Sequence, residues 1–322
     1  MKKKDTVKTY AVKHMDKDVV ENSRSGGIFT ALSDFILSNQ GVVYGCVLDV
    51  EFRAIHIRAI DFETRNLMRG SKYVQSKLGN TFQRVKEDLV NEKMVLFSGT
   101  SCQVAGLKAF LGQEYENLLC IDIVCHGVPS PQIWREYLNW QEKKHSSKVA
   151  NVQFRNKRDF GWASHVETIT MENGKCIHSK IFTKLFYDHN ILRPSCYECP
   201  YKSIIHPGDI TIADYWGIEK AAPEFHDNKG VSLVLVNNEK GANCFDTVKD
   251  EVIWKSTRIE DSLQEPLIKP YEEPKERKIF WDNVKNKPFS YIIRRYGEDS
   301  LFTKAKRKVK NIIMRVIKRN GK

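Results

Sequence analysis

Two short apolar runs set the strongest limit on how this chain folds: Met94–Phe97 within MVLFSGTSCQ and Leu118–Val124 within LLCIDIVCHG. Each is too short for a core helix, holds at most one charged side chain, and leads into a glycine-containing turn. That is the pattern of a strand buried on both faces. A helical pattern follows each run, Gln103–Leu111 after the first and a helix from about Gln132 after the second. Apolar strands alternating with helices predict an α/β fold with a mixed, largely parallel sheet and flanking helices.

The flanking segments extend this reading. Lys8–His14 predicts a strand, and Ser25–Asn39 an amphipathic helix with Ile28, Leu32, Phe35 and Ile36 on one face. Gly41–Leu48 and Ala54–Ile60 are expected strands joined by a turn, and Thr81–Val90 an expected helix. After about Ala150 the rhythm changes: Val152–Phe154, His165–Met171 and Lys175–Ile181 predict an antiparallel insertion with a turn at Glu172–Gly174. Apolar strands return at Asp209–Ala213 and Ser232–Val236. A Pro- and charge-rich stretch from about Gln264 then runs into a helical C-terminal tail. A length of 322 residues suits one large domain or two of ordinary size.

The net charge of +12 is concentrated at one end. Nine basic residues and no acidic one lie between Thr303 and Lys322, leaving the rest of the chain near +3. A nucleic-acid-binding face is therefore not expected. No apolar run reaches the length of a membrane span and the N-terminus has no secretory signal, so a cytoplasmic protein is expected. In a reducing compartment the eight cysteines are core residues, ligands or reactive thiols rather than disulfides.

Cys102 and Cys125 stand in the same relation to their strands, each just beyond the carboxyl end. If those strands are parallel neighbours, the two thiols lie about one strand spacing apart, roughly 5 Å, at the sheet edge where ligands collect. Cys196 and Cys199 form Cys-Tyr-Glu-Cys-Pro, a loop able to place two thiolates on one metal or cluster. Together they make four thiolates, the complement of one 4Fe–4S cluster or of a closed zinc site, and spacing leaves both open. Cys46, Cys120, Cys176 and Cys244 read as core packing.

SGGIFTAL, GSKYVQSKLG, GTSCQVAGL, CHGVPSP, FRNKRDFGW and RPSCYECPYK…GDITIADYWG occur in this order. In these motifs the chain resembles the beta subunits of coenzyme F420-reducing hydrogenases and the related formate dehydrogenases, including bacterial relatives found among polysaccharide-biosynthesis proteins. The resemblance implies an oxidoreductase with one FAD and one 4Fe–4S cluster, with Cys102, Cys125, Cys196 and Cys199 as ligands. It implies a flavin-binding part over 1–80, an iron–sulfur and flavin part over 81–262, and a connection with a basic helix over 263–322. Ser101 stands where the family usually has proline. The chain lacks the front ferredoxin-type run of some relatives, so its electrons would come from a separate donor protein or a reduced deazaflavin. They would pass to a small-molecule acceptor. The alternative is a zinc-stapled binding or scaffold protein.

Cofactor-binding expectations fall on three segments. Ser25, Gly26 and Gly27 open a helix and suit a pyrophosphate, since glycines admit close backbone approach and helix N-termini attract anions. Lys72 and Ser76 offer a cation and a hydroxyl for phosphate and ribose. Arg155, Lys157 and Trp162 would face the flavin or an anionic acceptor, and Trp216 would stack on a ring or fill the core. No Ser/His/Asp triad is expected, and the catalytic groups stay unassigned. In the tail, Phe302, Val309, Ile312, Ile313, Val316 and Ile317 recur at helical steps among lysines and arginines. This predicts a peripheral contact with anionic lipid, or a helix docked on protein.

Overall fold

The computed structural model describes residues 7–297. Within them the strands are β1 (Lys8–His14), β2 (Val42–Leu48), β3 (Ala54–Ala59), β4 (Val95–Thr100) and β5 (Leu118–Ile123). They continue as β6 (Val149–Gln153), β7 (Glu167–Met171), β8 (Cys176–Ser179), β9 (Ile210–Asp214), β10 (Ser232–Val236) and β11 (Val252–Thr257). Eight of these form one mixed sheet in the order β11-β1-β10-β9-β5-β4-β2-β3, and β6-β7-β8 form a small antiparallel sheet. The middle strands β2, β4, β5 and β9 are parallel, with antiparallel strands on both sides. The large sheet takes β1, β2 and β3 from the first eighty residues and its other strands from 81–262.

Register explains why the middle strands are apolar throughout. Val42, Val95 and Leu118 lie side by side, as do Val43, Leu96 and Leu119. Neighbouring residues of a strand point to opposite faces, so one row packs against the helices Thr81–Val90 and Ser101–Leu111, through Val85, Leu89, Val104 and Leu107. The other row packs under Ile28–Ser38, against Ile28, Leu32 and Ile36. Each such side chain contributes about 1.5–3 kcal/mol on full burial. A further core joins the small sheet to the helix Pro131–His145 and the C-terminal helices, through Trp134, Tyr137, Phe154, Phe182 and Phe280.

Several boundaries differ from expectation for local reasons. The helix expected from Ser25 starts at Ile28, because Gly27 adopts φ 94°, a left-handed conformation outside the helix. β11 had no apolar run to announce it: VIWKST is mostly exposed at the sheet edge. Of the four cysteines expected in the core, Cys120 is buried, Cys46 and Cys244 are half-buried, and Cys176 is exposed on β8. No helix among the described residues is long and apolar enough to cross a membrane. The basic stretch Thr303–Lys322 and its apolar stripe lie outside the described residues.

Candidate functional site

β4 and β5 pair in parallel with Thr100 beside Ile123, so Cys102 and Cys125 each stand two residues beyond a paired strand end. Cys102 sits in the first turn of Ser101–Leu111, exposed, with its sulfur 3.1 Å from Thr100 Oγ1. Ser101 occupies the first helical position, where a proline would lose no helical hydrogen bond. Its hydroxyl lies 3.2 Å from His206 Nδ1, which lies 2.9 Å from the buried Asp122 carboxylate. This chain of contacts ties the turn carrying Cys102 to the segment that follows Cys199.

A second tie joins the other two cysteines. Arg193 donates its backbone N–H to Val128 (3.0 Å), Ser130 donates to Ile191 (2.9 Å), and Pro129 bridges Leu192. The loop after Cys125 is thus zipped to the turn Pro194–Cys196. Burial pushes the Cys125 thiol up to about 12, with the charges of Cys196 and Cys102 acting in the same direction. Burial also raises the Cys196 thiol, helped by Cys199 and Cys102. Cys125 and Cys196 are thus both raised in part by the charges of other cysteines of the set. Lys202, which donates to the His126 carbonyl at 2.8 Å, is held below its usual range by burial and supported by Cys125, Cys196 and Cys199. Among the described residues, no group of three or more His, Cys, Asp or Glu is gathered to hold a single metal ion.

Beside these turns a cleft of about 780 Å³ opens across the carboxyl ends of β4, β5 and β9, where open α/β sheets hold their ligands. Cys102, Cys125 and His126 line one part of it, and Arg24, Arg155 and Trp216 another. His126 Nε2 lies 2.8 Å from His189 Nε2, and both rings pack on Tyr271 at 4.3 and 4.2 Å. Burial, then the charges of His189 and Lys202, lowers His126 to about 3, so it is neutral.

The cofactor-binding expectations divide. Ser25, Gly27, Lys72, Ser76 and Arg155 line the cleft, whereas Gly26 and Lys157 are not among its lining residues. Gly26 is a packing residue: its N–H donates to Ser232 Oγ at 2.9 Å, and an added Cβ would stand 2.1 Å from the Val12 carbonyl oxygen. Lys157 reaches beneath the site, donating to the Val20 carbonyl and, at 3.3 Å, to that of Ser25. Burial and the nearby Arg24 charge lower it to about 8. Lys72 reaches the carbonyls of Leu67, Arg69 and Gly70 at 2.8–3.2 Å, which occupies all three of its donors. The hydroxyl of Ser76 accepts from Gln103 Nε2 at 2.8 Å. Ser25 Oγ donates to Asp214 at 2.6 Å, and Arg155 donates to Ser164 O at 2.7 Å.

Other cleft residues carried no sequence signal of a site. Cys46 lines it beside Ser76 and Lys72, and His56 lies on Phe97 with its Nε2 donating to Ser98 O at 3.1 Å. Both sit on strands in patterns indistinguishable from core. Burial lowers His56 to about 4. An unfolded histidine, near 6.5, takes up a proton in the window where the folded ring does not, so stability falls as pH drops from about 6.5 to 4. The loss attributable to His56 is up to roughly 3 kcal/mol. Denaturant melts at pH 7 and pH 5 should show a smaller difference for His56→Gln than for the unsubstituted chain.

A family model for the C-terminal part of the coenzyme F420 hydrogenase/dehydrogenase beta subunit matches residues 92–262, just over half of the chain. Among solved structures, the fold is similar to a chain in a xenon-derivatisation study of the F420-reducing nickel–iron hydrogenase complex from Methanosarcina barkeri. The identity is 16%, the match covers 89% of this chain and 91% of that one, and the TM-score is 0.52. No curated protein matches significantly. The matched residues run from the turn before β4 to the short turn Ile259–Ser262 beyond β11 and include Cys102, Cys125, Cys196 and Cys199: the chain belongs to the coenzyme F420 hydrogenase/dehydrogenase beta-subunit family.

Proposed function

We propose that this chain, a member of an oxidoreductase-subunit family, is an iron–sulfur flavoprotein that passes electrons between a separate donor and a small-molecule acceptor. The observation that carries the reading is the meeting of Cys102, Cys125 and the Cys196–Cys199 loop at one sheet edge, beside a large cleft. Four thiols brought to one neighbourhood suit a four-iron cube, which has a corner for each thiolate. Cys102, Cys125, Cys196 and Cys199 would hold the cluster, and Gly27, Ser25 and Ser76 would line the flavin's berth.

When bound, these groups would supply one-electron transfer at the cluster and the exchange of single electrons for a hydride at the flavin. The chain's own residues do the rest. Lys202 places a positive charge beside the thiols and offsets theirs. The His126–His189 contact puts two neutral imidazoles in the cleft wall, where they can hold one proton between them. The rings of Phe186 and Tyr187 pack edge-on against His126 in that wall.

The test is anaerobic purification with metal, labile-sulfide and flavin analysis. Iron and sulfide in equal amounts near four per chain, about one cube, together with flavin absorption, is the expected result. Zinc in a colourless protein would instead mean a stapled scaffold. A role in polysaccharide biosynthesis would show as dependence of acceptor reduction on a sugar-bearing substrate.

A further inference from the structure

The part of the cleft away from the cysteines gathers two arginines, Arg24 and Arg155, around Trp216. Arg24 donates through Nη2 to Asp214 (2.8 Å) and to the Trp162 carbonyl (3.0 Å). Its Nε and Nη1 are buried and have no partner, although the side chain is only 10% exposed. A buried charged donor left unpaired costs more than a neutral one. The Arg155 guanidinium lies 5.9 Å from the Trp216 ring and that of Arg24 lies 6.0 Å from it. Trp216 is braced from behind by Trp162, stacked at 4.8 Å. His165, which lines the same cleft, also has a buried and unpartnered Nδ1. Asp214 is one carboxylate against two guanidinium groups, and it already accepts from Arg24, Ser25 and Trp162. Burial, then the charges of Arg155 and Arg24, lowers His165 to about 4, so the local field is positive.

We propose that Arg24, Arg155 and His165, set around Trp216, form an oxyanion-binding subsite that takes a phosphate or carboxylate group of a bound ligand. It rests on the reading of the cleft as a ligand site, but not on the identity of the cofactor. The unpaired nitrogens of Arg24 supply charge-assisted donors, the strong class of hydrogen bond to an anion. Asp214 holds the guanidinium in place from the other side, so the donors are pre-set and little ordering is lost on binding. The anion has two sources of the same chemistry: a phosphate of the cofactor itself, or an acidic group of the acceptor.

Arg24→Lys separates this role from a merely structural one. It keeps the charge pair with Asp214 but removes the planar set of donors. Full-length protein freed of flavin is titrated with inorganic pyrophosphate, riboflavin, FMN and FAD, following tryptophan and flavin fluorescence. Pyrophosphate affinity is expected to fall about tenfold or more in Arg24→Lys, from the loss of charge-assisted hydrogen bonds. If FMN and FAD weaken while riboflavin does not, the anion is the cofactor's. If flavin affinities hold and the flavin-loaded chain still binds pyrophosphate in an Arg24-dependent way, the anion is the acceptor's. Equal pyrophosphate binding by both proteins, binding by neither, or a parallel loss of riboflavin would overturn the subsite. Absence of any flavin binding to the unsubstituted chain, with Arg24-dependent pyrophosphate binding intact, would defeat the flavin reading and leave the subsite standing.

Discussion

Serine at Cys196 or Cys199 will remove iron and labile sulfide together from the anaerobically purified protein, and will lower its soluble yield. The loop that carries them is held by turn bonds such as Cys196 N–H to Arg193 O at 2.9 Å, and through Tyr197 OH, which donates to His189 O at 2.6 Å and accepts from Arg277 Nε at 3.0 Å. A cluster shared with Cys102 and Cys125 would bind this loop to two strand ends, so cofactor binding and folding would be one free energy. Cys102→Ser and Cys125→Ser should have the same effect on iron. Cys176→Ser, exposed on β8, and Cys244→Ser, on the helix Glu239–Thr247, should leave iron unchanged. Full iron in both Cys102→Ser and Cys125→Ser would refute the ligand set.

Gly26→Ala will strongly destabilise the fold. The new methyl would stand 2.1 Å from Val12 O and 2.7 Å from Ser232 N, both backbone atoms of paired strands. Neither can turn aside as a side chain can, so β1 and β10 must separate locally. A cost of about 3 kcal/mol or more is expected, at the upper end of overpacking effects. Flavin and iron should be lost together as the sheet loosens. Denaturant midpoint and both cofactor contents, measured on one preparation, check this. Loss of flavin alone, at unchanged midpoint, would mean that Gly26 serves ligand approach after all, as its sequence context alone suggests.

The two glycines of SRSGG show how far local pattern reaches. Both are legible as positions needing glycine. Only the fold separates Gly27, which turns the chain left-handed at the cleft, from Gly26, which is pressed against β1 and β10. Lys157 and Arg24 make the same point with charge. A lysine in FRNKRDFGW reads as a ligand for anions, yet its long stem carries the ammonium under the sheet edge to the Val20 carbonyl. Arg24 sits between two serines with no signal of its own, and its unpaired nitrogens depend on where Asp214 and Trp162 arrive from more than a hundred residues away.

The alternation of apolar strands and helices, the antiparallel insertion and the placing of Cys102 and Cys125 beyond two strand ends were all determined by sequence alone. Each depends on periodicity or on turns within a few residues, and such signals are local. Which strands are neighbours was decided only in three dimensions, because pairing joins residues far apart in the chain and leaves no short-range mark. β9 lies beside β5, and β1 lies between β10 and β11. The same holds for the zip of Val128–Ser130 to Ile191–Arg193 that brings Cys196 to Cys125, and for the cleft itself. A pocket is the space left between elements, and no residue encodes it until all of them have packed.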